Sequence, residues 1–145
     1  MNPKINNLIS KKGRKAAGRG SWKISENLFS SFQYAAQGLR YSFLSQLNFR
    51  IHLIISAFVF GIGLWLNLSV IELAILVLTI ASVLILELIN TSVEAVTDLA
   101  IGRKFHPLAR IAKDCAAAAV VIAAISSLVI ACLLILPKLF IQIGL

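Results

Sequence analysis

Residues 70–98 read VIELAILVLTIASVLILELINTSVEAVTD. The first half is continuously apolar over 73–86, yet the second half carries Glu87, Asn90, Glu94 and Asp98 with no Gly or Pro to end a helix between them. One unbroken helix is the expectation. At about 100° per residue the four polar positions fall within a sector of about 80°, so they share a face and form a stripe down the second half of the helix. Ionisable groups at membrane depth cost on the order of 2.5–3.5 kcal/mol each on insertion scales, so they turn towards a partner, a cavity or an ion. Hydrogen bonding between helices is the plain alternative use of such a stripe.

The membrane setting comes from the rest of the chain. Of its 145 residues, 59% are hydrophobic and 14% charged, and the mean hydropathy is +0.88, beyond what an ordinary soluble domain needs. That length allows one domain with three or four spans of about 20 residues and excludes a large soluble lobe. Residues 51–68 are free of formal charge when His52 is neutral, and Trp65 near their far end suits a membrane interface. Residues 116–136 carry no charge at all; Pro107 is placed to initiate their helix and Pro137 to stop it. Spans are therefore expected at about 51–68, 70–101 and 107–136. Ahead of them, Leu28, Phe29, Phe32, Ala35, Ala36, Leu39, Phe43 and Leu47 recur at helical spacing behind Ser25, a plausible N-cap. Gln33, Gln37, Arg40 and Gln46 supply the polar positions, which makes about 25–48 an amphipathic helix lying at the membrane surface. The expected fold is all-α: an integral membrane helical bundle with an N-terminal amphipathic surface helix plus three transmembrane helices.

Charge is distributed unevenly. The net charge is +8, and seven of the fourteen basic residues (Lys4, Lys11, Lys12, Arg14, Lys15, Arg19, Lys23) precede any acidic one. Residues 1–24 have too little apolar surface to offset the entropy of ordering them and read as a disordered basic tail. Such a tail sets topology or is drawn to anionic headgroups; nucleic acid is not the expected partner. Its segment GRKAAGRGS, residues 13–21, has the outline of a phosphate-binding loop, but Arg19 and Gly20 stand where Lys and Ser or Thr are required, and no strand precedes it. No apolar run of about 7–15 residues follows the basic start, so no cleavable signal peptide is expected. Arg40 and Arg50 flank the entry to the first span, and Arg103, Lys104, Arg110 and Lys113 lie between the second and third, whereas the first connection has no Lys or Arg. The N-terminus is thus expected in the cytoplasm and the C-terminus on the opposite side. Cys115 and Cys132 lie about 25 Å apart along one helix, too far for an intrachain disulfide.

Only six residues of the chain are acidic, and three of them are Glu87, Glu94 and Asp98. Arg110, Lys113 and Asp114 form a second polar cluster, at i, i+3 and i+4 near the start of the last helix. Carboxylates offering hard oxygen ligands, beside cations that neutralise phosphate, are what a magnesium-nucleotide complex requires. An internally neutralised ion-pair network uses the same residues, and both readings stand at this point. Small residues at Ala112 and 116–119 permit close helix approach. His52 and His106 belong to no set with metal-ligand spacing and read as interfacial side chains.

The run from Glu87 to Asp98, ELINTSVEAVTD, followed by HPLARIAKD at 106–114, resembles the signature of the prokaryotic diacylglycerol kinase and undecaprenol kinase family. The likeness extends upstream through Tyr34, the QGLR segment at 37–40 and the FRIH segment at 49–52, so that it covers roughly residues 25–137. The resemblance implies that residues 25–145 form a small membrane lipid kinase domain, a homotrimer with composite active sites between subunits, in a prokaryotic inner membrane. It implies ATP as phosphoryl donor, Mg2+ as cofactor, and a membrane lipid alcohol as acceptor. By position, Glu87 resembles the family's proposed general base and Glu94 its magnesium ligand. Tyr34, Glu94, Lys113 and Asp114 would contribute to the nucleotide site, Asn90 and Asp98 would orient the carboxylates, and Gly38, Leu39, Arg40 and Arg50 would meet the lipid. At Gln46 the family normally has a glutamate that contributes to metal binding; an amide carbonyl brings no charge, so Gln46 is a doubtful ligand and a second metal position would be weak. The resemblance covers both diacylglycerol, giving phosphatidic acid, and undecaprenol, giving undecaprenyl phosphate. The readings of other kinds are a non-enzymatic three-span ion pathway and an inactive structural homologue.

Overall fold

The computed structural model describes residues 28–102 and 104–144; the basic tail, the Ser25 cap and Arg103 lie outside the described residues. The chain divides into two units, residues 1–38 and 39–145. The described part of the first is the opening of helix α1, Leu28–Ser45, where Leu28, Phe29, Phe32 and Tyr34 are exposed. The second holds the remainder of α1 and three helices of membrane-spanning length and composition: α2 (Leu47–Trp65), α3 (Val70–Ile101) and α4 (Pro107–Gln142). The protein is an all-α membrane protein.

Each boundary has a local cause. Between α1 and α2 only Gln46 leaves the helix, with extended backbone at φ −107° and ψ 114°. The freed carbonyls there are met locally, since Gln46 N donates to Ser42 O at 2.9 Å and the Ser45 hydroxyl to Tyr41 O at 2.8 Å. This first helix thus ends three residues before the expected boundary, and α2 begins at Leu47 rather than 51. At the other end of α2, Asn67 takes the left-handed conformation (φ 53°). Asn67 N donates to Leu64 O at 3.1 Å and Leu68 N to Gly63 O at 3.0 Å, the two bonds of a Schellman motif. The chain then enters α3 through a capping box: Ser69 N donates to Glu72 Oε2 at 2.6 Å, and Glu72 N to the Ser69 hydroxyl at 3.4 Å. Gly102, left-handed at φ 60°, ends α3, and His106 caps α4 with Nδ1 accepting from Leu108 N at 3.2 Å, ahead of Pro107 in the first turn.

Pro137 does not stop α4, which runs through it to Gln142. A proline forfeits one helical hydrogen bond, but the next residue, Lys138, is held to Glu72 of α3 at 3.1 Å. The half-buried Thr79 satisfies its hydroxyl within its own helix, donating to Leu76 O at 2.9 Å. The buried residues of α3 are Leu76, Val83, Glu87 and Thr91, at intervals of seven, four and four, so one stripe faces inward. On α4 they are Ala109, Val120 and Ala131, two of the three small enough to let the helices approach closely. Near the α2–α3 turn, Leu68, Leu76 and Ala131 make the core, with Val59, Phe60 and Ile80 packed against it. Both cysteines are free and exposed.

Candidate active site

The inward stripe of α3 is apolar until Glu87. Its carboxylate is 3% exposed, and His52 of α2 approaches it, Nε2 to Oε1 at 3.5 Å. Thr91, one turn on, is buried and spends its hydroxyl on Glu87 O at 2.9 Å, leaving the carboxylate to other partners. Among the described residues no Lys or Arg pairs with Glu87. Beyond it the stripe widens. Asn90 Nδ2 donates to Glu94 Oε1 at 3.2 Å, which fixes that carboxylate's rotamer, while Asn90 Oδ1 is buried with no partner. Asp98 ends the row, and Lys113 of α4 donates to its Oδ1 at 2.5 Å.

The four stripe residues therefore lie on one face of α3, and the structure brings Asp98 and Lys113 together across the α3–α4 loop. Arg110 and Asp114 pair with each other at 3.5 Å, an exposed i,i+4 contact worth at most a few tenths of a kcal/mol. Lys104, Arg110, Lys113 and Asp114 line a shallow depression of about 220 Å³ at this end. Of the residues expected at the lipid, Leu39 and Arg40 line a groove of about 580 Å³ together with Phe43 of α1, Phe49 and Leu53 of α2, and Leu84 and Leu88 of α3. Arg40 is its one charged lining residue. Leu84 and Leu88 flank Glu87 in sequence, so groove and carboxylate occupy the same level of α3. Arg50 is half-buried, and its Nε has no partner. Tyr34 and Gly38 stand on the first unit, where Tyr34 is exposed and a Cβ at Gly38 would meet nothing. Gln46 is half-buried at the α1–α2 break.

His52 is the residue that sequence reasoning passed over. Its partner lies 35 positions away on another helix, so spacing carries no trace of the pair. What the sequence offered was a lone polar residue, the second position of the expected span at 51–68.

A magnesium site can be tested against these residues. Among the described residues no three His, Cys, Asp or Glu side chains converge, which excludes an all-protein cage there. Magnesium bound with a triphosphate needs only one or two protein oxygens, the rest coming from phosphate and water. Glu94 supplies a carboxylate, and the unpartnered Asn90 Oδ1 lies beside it; the residues fit.

The family model described as prokaryotic diacylglycerol kinase matches residues 33–135. The chain is 45% identical over 126 residues to a diacylglycerol kinase of Synechocystis sp., an alignment covering 87% of this chain and 72% of that protein. It is 41% identical over 111 residues to an undecaprenol kinase of Bacillus subtilis (77% and 89% covered), and 34% identical over 101 residues to a diacylglycerol kinase of Escherichia coli K12 (70% and 82%).

Proposed function

The chain belongs to the prokaryotic diacylglycerol kinase family, and from that premise we propose that it transfers the γ-phosphoryl group of ATP to the hydroxyl of diacylglycerol at the stripe of α3. It is a membrane lipid kinase; family membership removes the non-enzymatic ion pathway. The observation that carries the site assignment is the burial of Glu87 in an apolar helix face, on the stripe that ends in the Asp98–Lys113 pair.

Phosphoryl transfer asks the protein for positioning and charge neutralisation more than for covalent chemistry. The acyl chains of the acceptor lie in the groove between α1, α2 and α3, whose lining is apolar apart from Arg40. The hydroxyl presents itself to Glu87, which takes its proton, a role that contributes about 10²- to 10⁴-fold. Lys113 and Asp114 hold the nucleotide at the α3–α4 loop. Glu94 would hold magnesium, which when bound neutralises charge on the phosphates. Asn90 fixes the Glu94 carboxylate, and Asp98 aims Lys113. Tyr34 is assigned to the nucleotide, Gly38 and Arg50 to the lipid, and Gln46 at most to a weak second metal position. The basic residues flanking the first span and between α3 and α4 support a cytoplasmic N-terminus and site, with the C-terminus opposite. The working unit is a homotrimer with sites shared between subunits.

Undecaprenol is the second reading, favoured by the identity to the Bacillus subtilis relative. Purified protein in mixed micelles with labelled ATP and magnesium, given each lipid in turn, decides between them. Label in phosphatidic acid is expected; label only in undecaprenyl phosphate transfers the assignment to the second reading, and label in neither lipid marks an inactive homologue.

A further inference from the structure

Glu87 is sealed. Its carboxylate is 3% exposed, and Val83 and Thr91 are buried on either side of it along α3. With the lipid hydroxyl in place against it, this carboxylate has little contact left with water, so the proton it takes needs a route out through a neighbouring group. His52 is its partner from α2, with Nε2 at 3.5 Å from Oε1 and 26% of the side chain exposed, so one ring reaches both the sealed carboxylate and the surface of the bundle. Glu94, two turns along α3, has one oxygen engaged by Asn90. From α4, Lys113 is engaged by Asp98 and Arg110 by Asp114.

We propose that His52 is the proton outlet of the active site, carrying to water the proton that Glu87 takes from the lipid alcohol. The inference rests on Glu87 being the base. As the lipid oxygen bonds to the γ-phosphorus, the bond from that phosphorus to the β,γ-bridging oxygen breaks, and its electron pair leaves with ADP. The hydroxyl proton passes to Glu87. It then moves to the lone pair on Nε2 of His52 as the Nδ1 proton leaves to water; proton exchange with water afterwards returns the ring to its Nδ1–H form, so that each turnover yields phosphorylated lipid, ADP and one proton. The 3.5 Å separation is longer than a hydrogen bond, and the relay requires it to shorten in the substrate complex, as catalytic contacts often do. His52 acts through Glu87 and touches neither substrate, which makes it a positioning residue that also conducts.

Three variants of the full chain in mixed micelles test the proposal, with thermal unfolding recorded for each. His52→Ala is expected to lose at least about tenfold in kcat, with KM for ATP and for lipid within about twofold of the parent. Added imidazole should restore His52→Ala while leaving the parent and Glu87→Gln unmoved. His52→Gln keeps a hydrogen-bonding group near the carboxylate but cannot carry a proton, and is expected to be as slow as His52→Ala; it also guards against a loss of fold caused by truncation. Full turnover in His52→Gln would reduce the residue to a hydrogen-bond partner and overturn the relay, as would a folded His52→Ala that keeps its kcat or ignores imidazole. Failure of the underlying base assignment looks different: Glu87→Gln would then turn over at the parent rate.

Discussion

Lys113 and Asp98 meet across two helices, and neither is deeply buried, at 35% and 39% side-chain exposure. Their mutual attraction is accordingly modest, and a phosphate group can compete for the ammonium, which three rotatable N–H bonds let turn towards it. Lys113→Met is therefore expected to raise KM for ATP about tenfold or more, the range of a hydrogen bond to a charged group, with KM for the lipid unchanged and little loss in thermal stability. An equal rise in both KM values would show that Lys113 acts on the fold instead. The stripe itself was legible in residues 87–98, because helical periodicity alone puts Glu87, Asn90, Glu94 and Asp98 on one face. The partners were not. Lys113 stood in the sequence beside Arg110 and Asp114, and only the course of the α3–α4 loop turns it to Asp98. For His52 even the helix that faces it had to be known.

At the scale of elements, the turn between α2 and α3 depends on Gly63. A Cβ there would stand 3.0 Å from Leu68 Cδ1 and 3.3 Å from Leu76 Cδ2, so the missing side chain lets Leu68 fold back over the end of α2 and cover Leu76, which is fully buried. Lipid tails are as apolar as leucine, so this junction is held by fit more than by escape from water. Gly63→Val is expected to cost about 1–3 kcal/mol, the usual range for overpacking, as a lowered unfolding temperature in micelles. Gly61→Val, whose Cβ would meet nothing within 4 Å, is expected to leave it in place; equal losses in the two would mean that glycine matters here through α2 itself. Pro107 made the start of α4 readable, whereas the caps at Ser69 and Gly102 emerged with the structure. The break at Gln46 carries no Gly or Pro, and the helix through Pro137 defeats the one strong breaker in the last segment. At Gln46 the bonds that close the break are local but follow no breaker residue, while beyond Pro137 the ion pair to Glu72 comes from another helix.

For the molecule as a whole, the same sequence solves two opposed problems. Three apolar helices leave large side chains such as Ile54, Phe58, Leu78 and Leu128 exposed, suited to lipid or to further copies of the chain. Along one inner face of α3, meanwhile, the chain retains the charges that lipid disfavours. Composition made the membrane legible and the anomaly of acidic residues made the site legible, while the depth of each carboxylate came only from packing. Glu87 is the central group, the one that takes the hydroxyl proton. Glu87→Gln in the intact protein, assayed in mixed micelles with labelled ATP, is predicted to turn over at least about 100-fold more slowly while KM for ATP and the unfolding temperature stay near those of the parent. Parent-like turnover in that folded variant would contradict it.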